Sequence, residues 1–259
     1  MIWADPIRMK PRFIKAKKGI GRHWIPFFLS LFGFGCAQAQ IVEDFPFEID
    51  RTRIIVSDQQ KNGYLILKSS AQGPIFVASS LREVLPGGLE GDKVDDFLVT
   101  PTAKELLPKQ AISIKVIRLV QPKIRDRETL YYLRMQLTPG LKLNQDPSAS
   151  TLQETMTVRV KVFYRPEALQ KDQAVIGACR ALKVQQRESR VVIENRSPYY
   201  LTLPVIEAEG LNPTVSERAL MIAPFSSDSV KADQGLNTLT VRCVQESGLY
   251  TEPIILDVH

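Results

Sequence analysis

Residues 155–166, Thr-Met-Thr-Val-Arg-Val-Lys-Val-Phe-Tyr-Arg-Pro, constrain the fold most. Val158, Val160 and Val162 alternate with Arg159, Lys161 and Phe163. A period of two in β-branched and aromatic residues predicts a half-buried strand. Pro166 ends it, because proline has no N–H for a continuing ladder. The chain therefore reads as one domain closed by a long strand, followed by new material.

Before charge is counted, residues 1–39 are set aside. Arg8, Lys10, Arg12, Lys15, Lys17, Lys18 and Arg22 form a basic stretch, residues 24–35 are a short apolar run, and Ala37-Gln38-Ala39 is a small-x-small cleavage pattern. This is the composition of a secretory signal peptide, with an apolar run too short for a membrane span. Seven of the 34 basic side chains but only one of the 28 acidic ones lie in this segment, which leaves 27 of each elsewhere. The formal charge of +6 belongs to the leader, and the balanced remainder gives no basic surface for nucleic acid.

Of the two histidines, His23 falls in the leader and His259 is the last residue. No internal histidine is left for a Ser-His-Asp or Cys-His arrangement, and the zinc ligand sets that depend on His are excluded with them. Neither phosphate-binding glycine motif is present. No catalytic, metal or cofactor site is expected. Cys179 and Cys243 follow the leader and either form a disulfide, as secreted proteins permit, or are two buried thiols.

Short apolar segments recur along residues 53–57, 64–68, 75–78, 97–100, 112–118 and 131–137, separated by turn residues such as Lys61-Asn62-Gly63 and the loop at 86–92. With the strand at 155–165 they make about seven strands, the pattern of an immunoglobulin-like sandwich. Residues 139–150 are polar and read as a loop. After Pro166 the pattern restarts, with strands expected at 178–184, 191–194, 199–206, 219–222 and 239–244. The expectation is an all-β protein of two immunoglobulin-like β-sandwiches: a signal peptide at 1–39, an N-terminal domain at 40–165 and a smaller C-terminal domain at 166–259.

Five motifs in this order carry a family resemblance. They are Ile49-Asp50-Arg51-Thr52-Arg53, Leu98-Val99-Thr100-Pro101, Asp126-Arg127-Glu128-Thr129-Leu130-Tyr131, Val160-Lys161-Val162-Phe163-Tyr164-Arg165-Pro166 and Ile193-Glu194-Asn195-Arg196-Ser197-Pro198-Tyr199-Tyr200. Together they resemble the periplasmic PapD-like chaperones of chaperone–usher pili. The resemblance implies two sandwiches at a boomerang angle and a non-enzymatic role in the periplasm. Its implied partners are pilin or fimbrial subunits, an outer-membrane usher and, for the free protein, a second copy as a self-capping dimer. It implies that the last strand of the first domain is lent to a subunit lacking one, through Leu152, Met156 and Val158, although Glu154 interrupts that row. It implies that Arg53 and Lys161 hold the subunit's C-terminal carboxylate. Glu128, Arg165 and Asp233 are implied as an ionic cluster between the domains. The competing reading is an immunoglobulin-like pilus subunit or adhesin.

Overall fold

The computed structural model describes residues 46–140, 155–208, 219–232 and 235–259. The expected leader, Leu152, Glu154 and Asp233 lie outside them.

The first sandwich is built from β1 (Phe47–Ile49), β2 (Arg53–Ser57), β3 (Asn62–Ser69), β4 (Ile75–Leu85), β5 (Leu89–Lys93), β6 (Phe97–Thr100), β7 (Ala103–Leu106), β8 (Ala111–Arg118), β9 (Thr129–Pro139) and β10 (Met156–Arg165). One sheet has the order β1-β3-β8-β6; the other has the order β2-β10-β9-β4-β5, with β7 also paired to β4. Alternation positions the strands: in β3 every second residue is buried, which sends Leu65 and Leu67 into the core. Leu65, Ile114, Val116, Leu133, Met135, Val160 and Val162 meet between the sheets. Gly63 is needed where the sheets approach, since a Cβ there would stand 2.3 Å from the Ile54 side chain. The first strand switches sheets: β1 pairs with β3, and after residues 50–52 the chain continues as β2 beside β10.

The second sandwich contains α1 (Ala174–Arg180), β11 (Lys183–Arg187), β12 (Arg190–Asn195), β13 (Leu201–Leu203), β14 (Val205–Glu207), β15 (Leu220–Ile222), β16 (Ser226–Lys231), β17 (Thr238–Arg242) and β18 (Ile254–Asp257). Its sheets are β11-β12-β16, β13-β15 and β14-β17-β18. It has its own core, including Val191, Ile193, Leu201, Leu239 and Val241.

Three expectations are corrected here. Residues 178–184 are not one strand: α1 ends at Arg180 and β11 starts at Lys183. Val175, Ala178, Cys179 and Leu182 are buried at helical spacing, so the apolar run packs as a turn of helix. Residues 199–206 are two strands rather than one. Pro204 lies between β13, which pairs with β15, and β14, which pairs with β17. The segment at 86–92, read as a loop, contains most of β5, whose Leu-Glu-Gly-Asp-Lys sequence suits an exposed sheet edge.

Candidate functional site

The site begins with the unequal flanks of β10. On one side β9 accompanies it from Met156 opposite Leu137 to Tyr164 opposite Thr129. On the other, β2 runs parallel to it only from Lys161 opposite Arg53 to Arg165 opposite Ser57. Among the described residues, 156–160 have no strand on that side. Val158 and Val160 of this half point into the core and Met156 packs against it half-buried.

Where the flanking strand starts, two cations stand side by side. Arg53 is buried; its Nη1 donates to the Val244 carbonyl at 3.2 Å, and its guanidinium lies 5.6 Å from the centre of the Phe163 ring. Burial lowers Arg53 to about 10 against the pull of Glu128 and Glu246. Lys161 is half-buried and has no carboxylate within ion-pair distance among the described residues. Burial, and then the neighbouring Arg53, lower its ammonium to about 8. The lowering means that its charged form is disfavoured in this setting.

Beside the pair lies an ionic cluster whose Arg165 and Glu128 are buried. Arg165 Nε donates to Glu128 Oε1 at 2.8 Å, and its Nη1 is bonded to Glu246 Oε1. Glu128 Oε2 also accepts from the Tyr200 amide at 2.8 Å, while the Glu128 amide donates to the Pro198 carbonyl at 2.9 Å. One carboxylate thus links β10 to the segment entering β13. Burial pushes Glu128 upward against the attraction of Arg165. The Arg165 guanidinium rests 5.2 Å from the Tyr199 ring centre, and Phe163 and Tyr200 are 5.7 Å apart. Three cations here, Arg53, Lys161 and Arg165, face two carboxylates, Glu128 and Glu246.

Of the residues expected from the sequence, Arg53, Lys161, Glu128 and Arg165 come together, and Met156 and Val158 lie on the half-paired strand. Glu246 was missed. It is 81 residues from Arg165 in the chain, in the turn after β17, and a lone acid in a turn carries no distinguishing signal. Cys179 and Cys243 are joined in a disulfide, with Cα atoms 6.4 Å apart. The bond ties α1 to the segment that supplies both the Val244 carbonyl and Glu246. Asp58 was also missed. It accepts from Tyr164 Oη at 2.8 Å, the Glu167 amide at 3.1 Å and Arg125 at 3.0 Å. Burial alone would raise its carboxyl, but hydrogen bonds from Gln121, Tyr164 and the Glu167 amide hold it below the ordinary value. It fastens the chain beyond Pro166 to the end of β2.

Comparison with known proteins fits this arrangement. Residues 46–170 match the N-terminal domain of PapD, described as a pili and flagellar-assembly chaperone, and residues 177–254 match the C-terminal domain of the PapD pili assembly chaperone. The chain belongs to the PapD family of pilus-assembly chaperones. Within this family it is 28% identical over 205 residues to the fimbrial chaperone YqiH of Escherichia coli K12, covering 77% of this chain and 78% of that protein. It is 26% identical over 229 residues to the chaperone protein FimC of the same strain, covering 86% and 87%. In fold it resembles a chain of the Salmonella enterica SafA pilin–SafB chaperone complex, with TM-score 0.67, 19% identity and coverage of 83% of this chain and 97% of that one. The E. coli chaperone DraB aligns with TM-score 0.65, 18% identity and coverage of 83% and 97%. PapD-family membership and these neighbours agree with two immunoglobulin-like sandwiches.

Proposed function

We propose that this PapD-family chain is a periplasmic chaperone that lends the open half of β10 to pilin subunits lacking a strand, and anchors the subunit's C-terminal carboxylate between Arg53 and Lys161. The subunit is kept folded and capped in this way until delivery to an outer-membrane usher. The observation that carries the reading is the coincidence of two positions. Among the described residues, the flank of β10 is unpaired from Met156 to Val160, and this open stretch ends at the half-desolvated Arg53–Lys161 pair.

The direction of the added strand follows from charge. A strand entering beside residues 156–160 lies in line with β2. If it runs parallel to β10, as β2 does, its C-terminal carboxylate arrives at the two cations. If it runs antiparallel, its ammonium terminus arrives there and is repelled. Charge-assisted hydrogen bonds from two cations to one carboxylate contribute about 1.5–3 kcal/mol each. Main-chain bonds along the edge supply affinity without sequence preference, and the fixed terminus sets the register they would leave loose. The domains at 40–165 and 166–259 are then a strand-lending unit and a buttress that holds Glu246 and the Val244 carbonyl against it. The activity is binding rather than catalysis.

The test is capture of a co-expressed pilin subunit from periplasm by the Lys161→Met chaperone. Methionine keeps the side-chain stem and drops the charge. Capture should fall by at least tenfold, with the melting temperature of the free variant unchanged or slightly higher. Wild-type capture by Lys161→Met would refute the carboxylate anchor.

A further inference from the structure

The outward face of the strand-lending sheet carries a second charge arrangement next to the cation pair. Arg159 on β10 stands directly opposite Arg134 on β9, and Lys161 opposite Tyr132, which in turn faces Arg82 on β4. Like charges directly opposite each other on a sheet are unfavourable. Among the described residues, one carboxylate answers all three guanidiniums. Glu90, on the edge strand β5, lies 2.8 Å from Arg159 Nε, 3.1 Å from Arg134 Nη1 and 3.8 Å from Arg82 Nε. These side chains are half-buried, so solvent screens them only partly. The cluster has two more positive charges than negative ones and is continuous, through Lys161, with the proposed anchor.

We propose that Arg82, Arg134 and Arg159 around Glu90 form a selectivity face for subunit strands that carry an acidic side chain at or next to their anchored end. This rests on the anchor reading above. Register supplies the link. With the terminal carboxylate at Arg53 and Lys161, the residue of the added strand that pairs with Arg159 is at or next to that end. Because neighbouring strands share their pleat, its side chain stands on the same face as Arg159 and Arg134. An acid there meets the unbalanced guanidiniums, and Arg159 and Arg134 offer the planar fork that suits a carboxylate. A lysine at the same place meets like charge and is rejected.

The experiment measures binding of synthetic peptides to the full chaperone by calorimetry. The peptides alternate apolar and polar residues, are long enough to cover the open half of β10, and have Glu, Gln or Lys at the position beside Arg159. Each is made with a free C-terminal carboxylate and as the amide. Among free-carboxylate peptides, Glu should bind about fivefold more tightly than Gln, the factor that corresponds to ~1 kcal/mol, and Lys more weakly than Gln. Arg159→Gln and Arg134→Gln, each of which leaves Glu90 two arginine neighbours, should erase the Glu preference while keeping the preference for carboxylate over amide. Arg159→Lys should restore part of it. Equal binding of Glu and Gln peptides, or a Glu preference that survives both substitutions, overturns the selectivity face and leaves the anchor standing. Equal binding of carboxylate and amide peptides, or binding of none of them, overturns the anchor itself and the selectivity face with it.

Discussion

At the scale of single residues, the proposed anchor depends on Lys161 being charged in spite of its surroundings. Its free value of about 8 lies below the ordinary 10.5, so in the folded protein the charge is disfavoured until an anion arrives. The sign of the pH dependence follows. A carboxylate binds the protonated form and raises its pKa, so capture should be constant below pH 8. Above it, capture should fall by about tenfold per unit until the bound-state pKa is reached. Titrating peptide affinity from pH 6 to 10 checks this. The stability of the free chaperone should move the other way over the same window, since deprotonation removes an unfavourable buried charge. Glu128 behaves differently because it is a structural partner. Glu128→Ala strands Arg165 with only the half-exposed Glu246, and also leaves the Tyr200 amide without its acceptor. It should lower stability by about 3 kcal/mol, read from urea unfolding. A loss below about 0.5 kcal/mol would reduce the cluster to ordinary surface charges.

At the scale of elements, β10 was legible in the sequence because its valines alternate without interruption and Pro166 marks its end. Arg53, Glu128, Lys161 and Arg165 were legible because each sits inside a local motif. What was not legible lies in contacts between distant segments. Glu246, in the turn after β17, and Asp58, at the end of β2, are single acids that only the fold brings to Arg165 and to the Glu167 amide. Glu90 was hidden in a charged edge strand that reads as a loop by composition. The helix α1 was hidden because seven residues are too few to display a helical period, and Val175, Ile176 and Cys179 equally suit a strand. The disulfide between α1 and Cys243 closes a separation of 64 residues. Its replacement through Cys179→Ala with Cys243→Ala should cost about 2–4 kcal/mol of stability. It should also weaken subunit capture, because the Val244 carbonyl that steadies Arg53 is adjacent to Cys243. A double variant with unaltered urea unfolding would show that the bond is dispensable to this sandwich.

At the scale of the whole molecule, two sandwiches with separate cores meet where polar groups and the Phe163–Tyr200 ring pair come together. Glu128, Arg165, Glu246, the Pro198 carbonyl and the Tyr200 amide carry much of that meeting. The boundary between them is also where the cation pair lies, so the second sandwich positions the site that the first one presents. If residues 1–39 are the expected leader, N-terminal sequencing of periplasmic material should give a start near Gln40. Retention of residues 20–39 on membrane-bound protein would exclude that processing. The central claim is that Arg53 and Lys161 receive a strand's terminal carboxylate, and NMR titration of the Lys161 side chain tests it most directly. The free chaperone should give a pKa near 8, moving upward when a peptide with a free C-terminal carboxylate is bound and remaining near 8 with the amide. A value that does not change between free and carboxylate-bound chaperone would contradict the account.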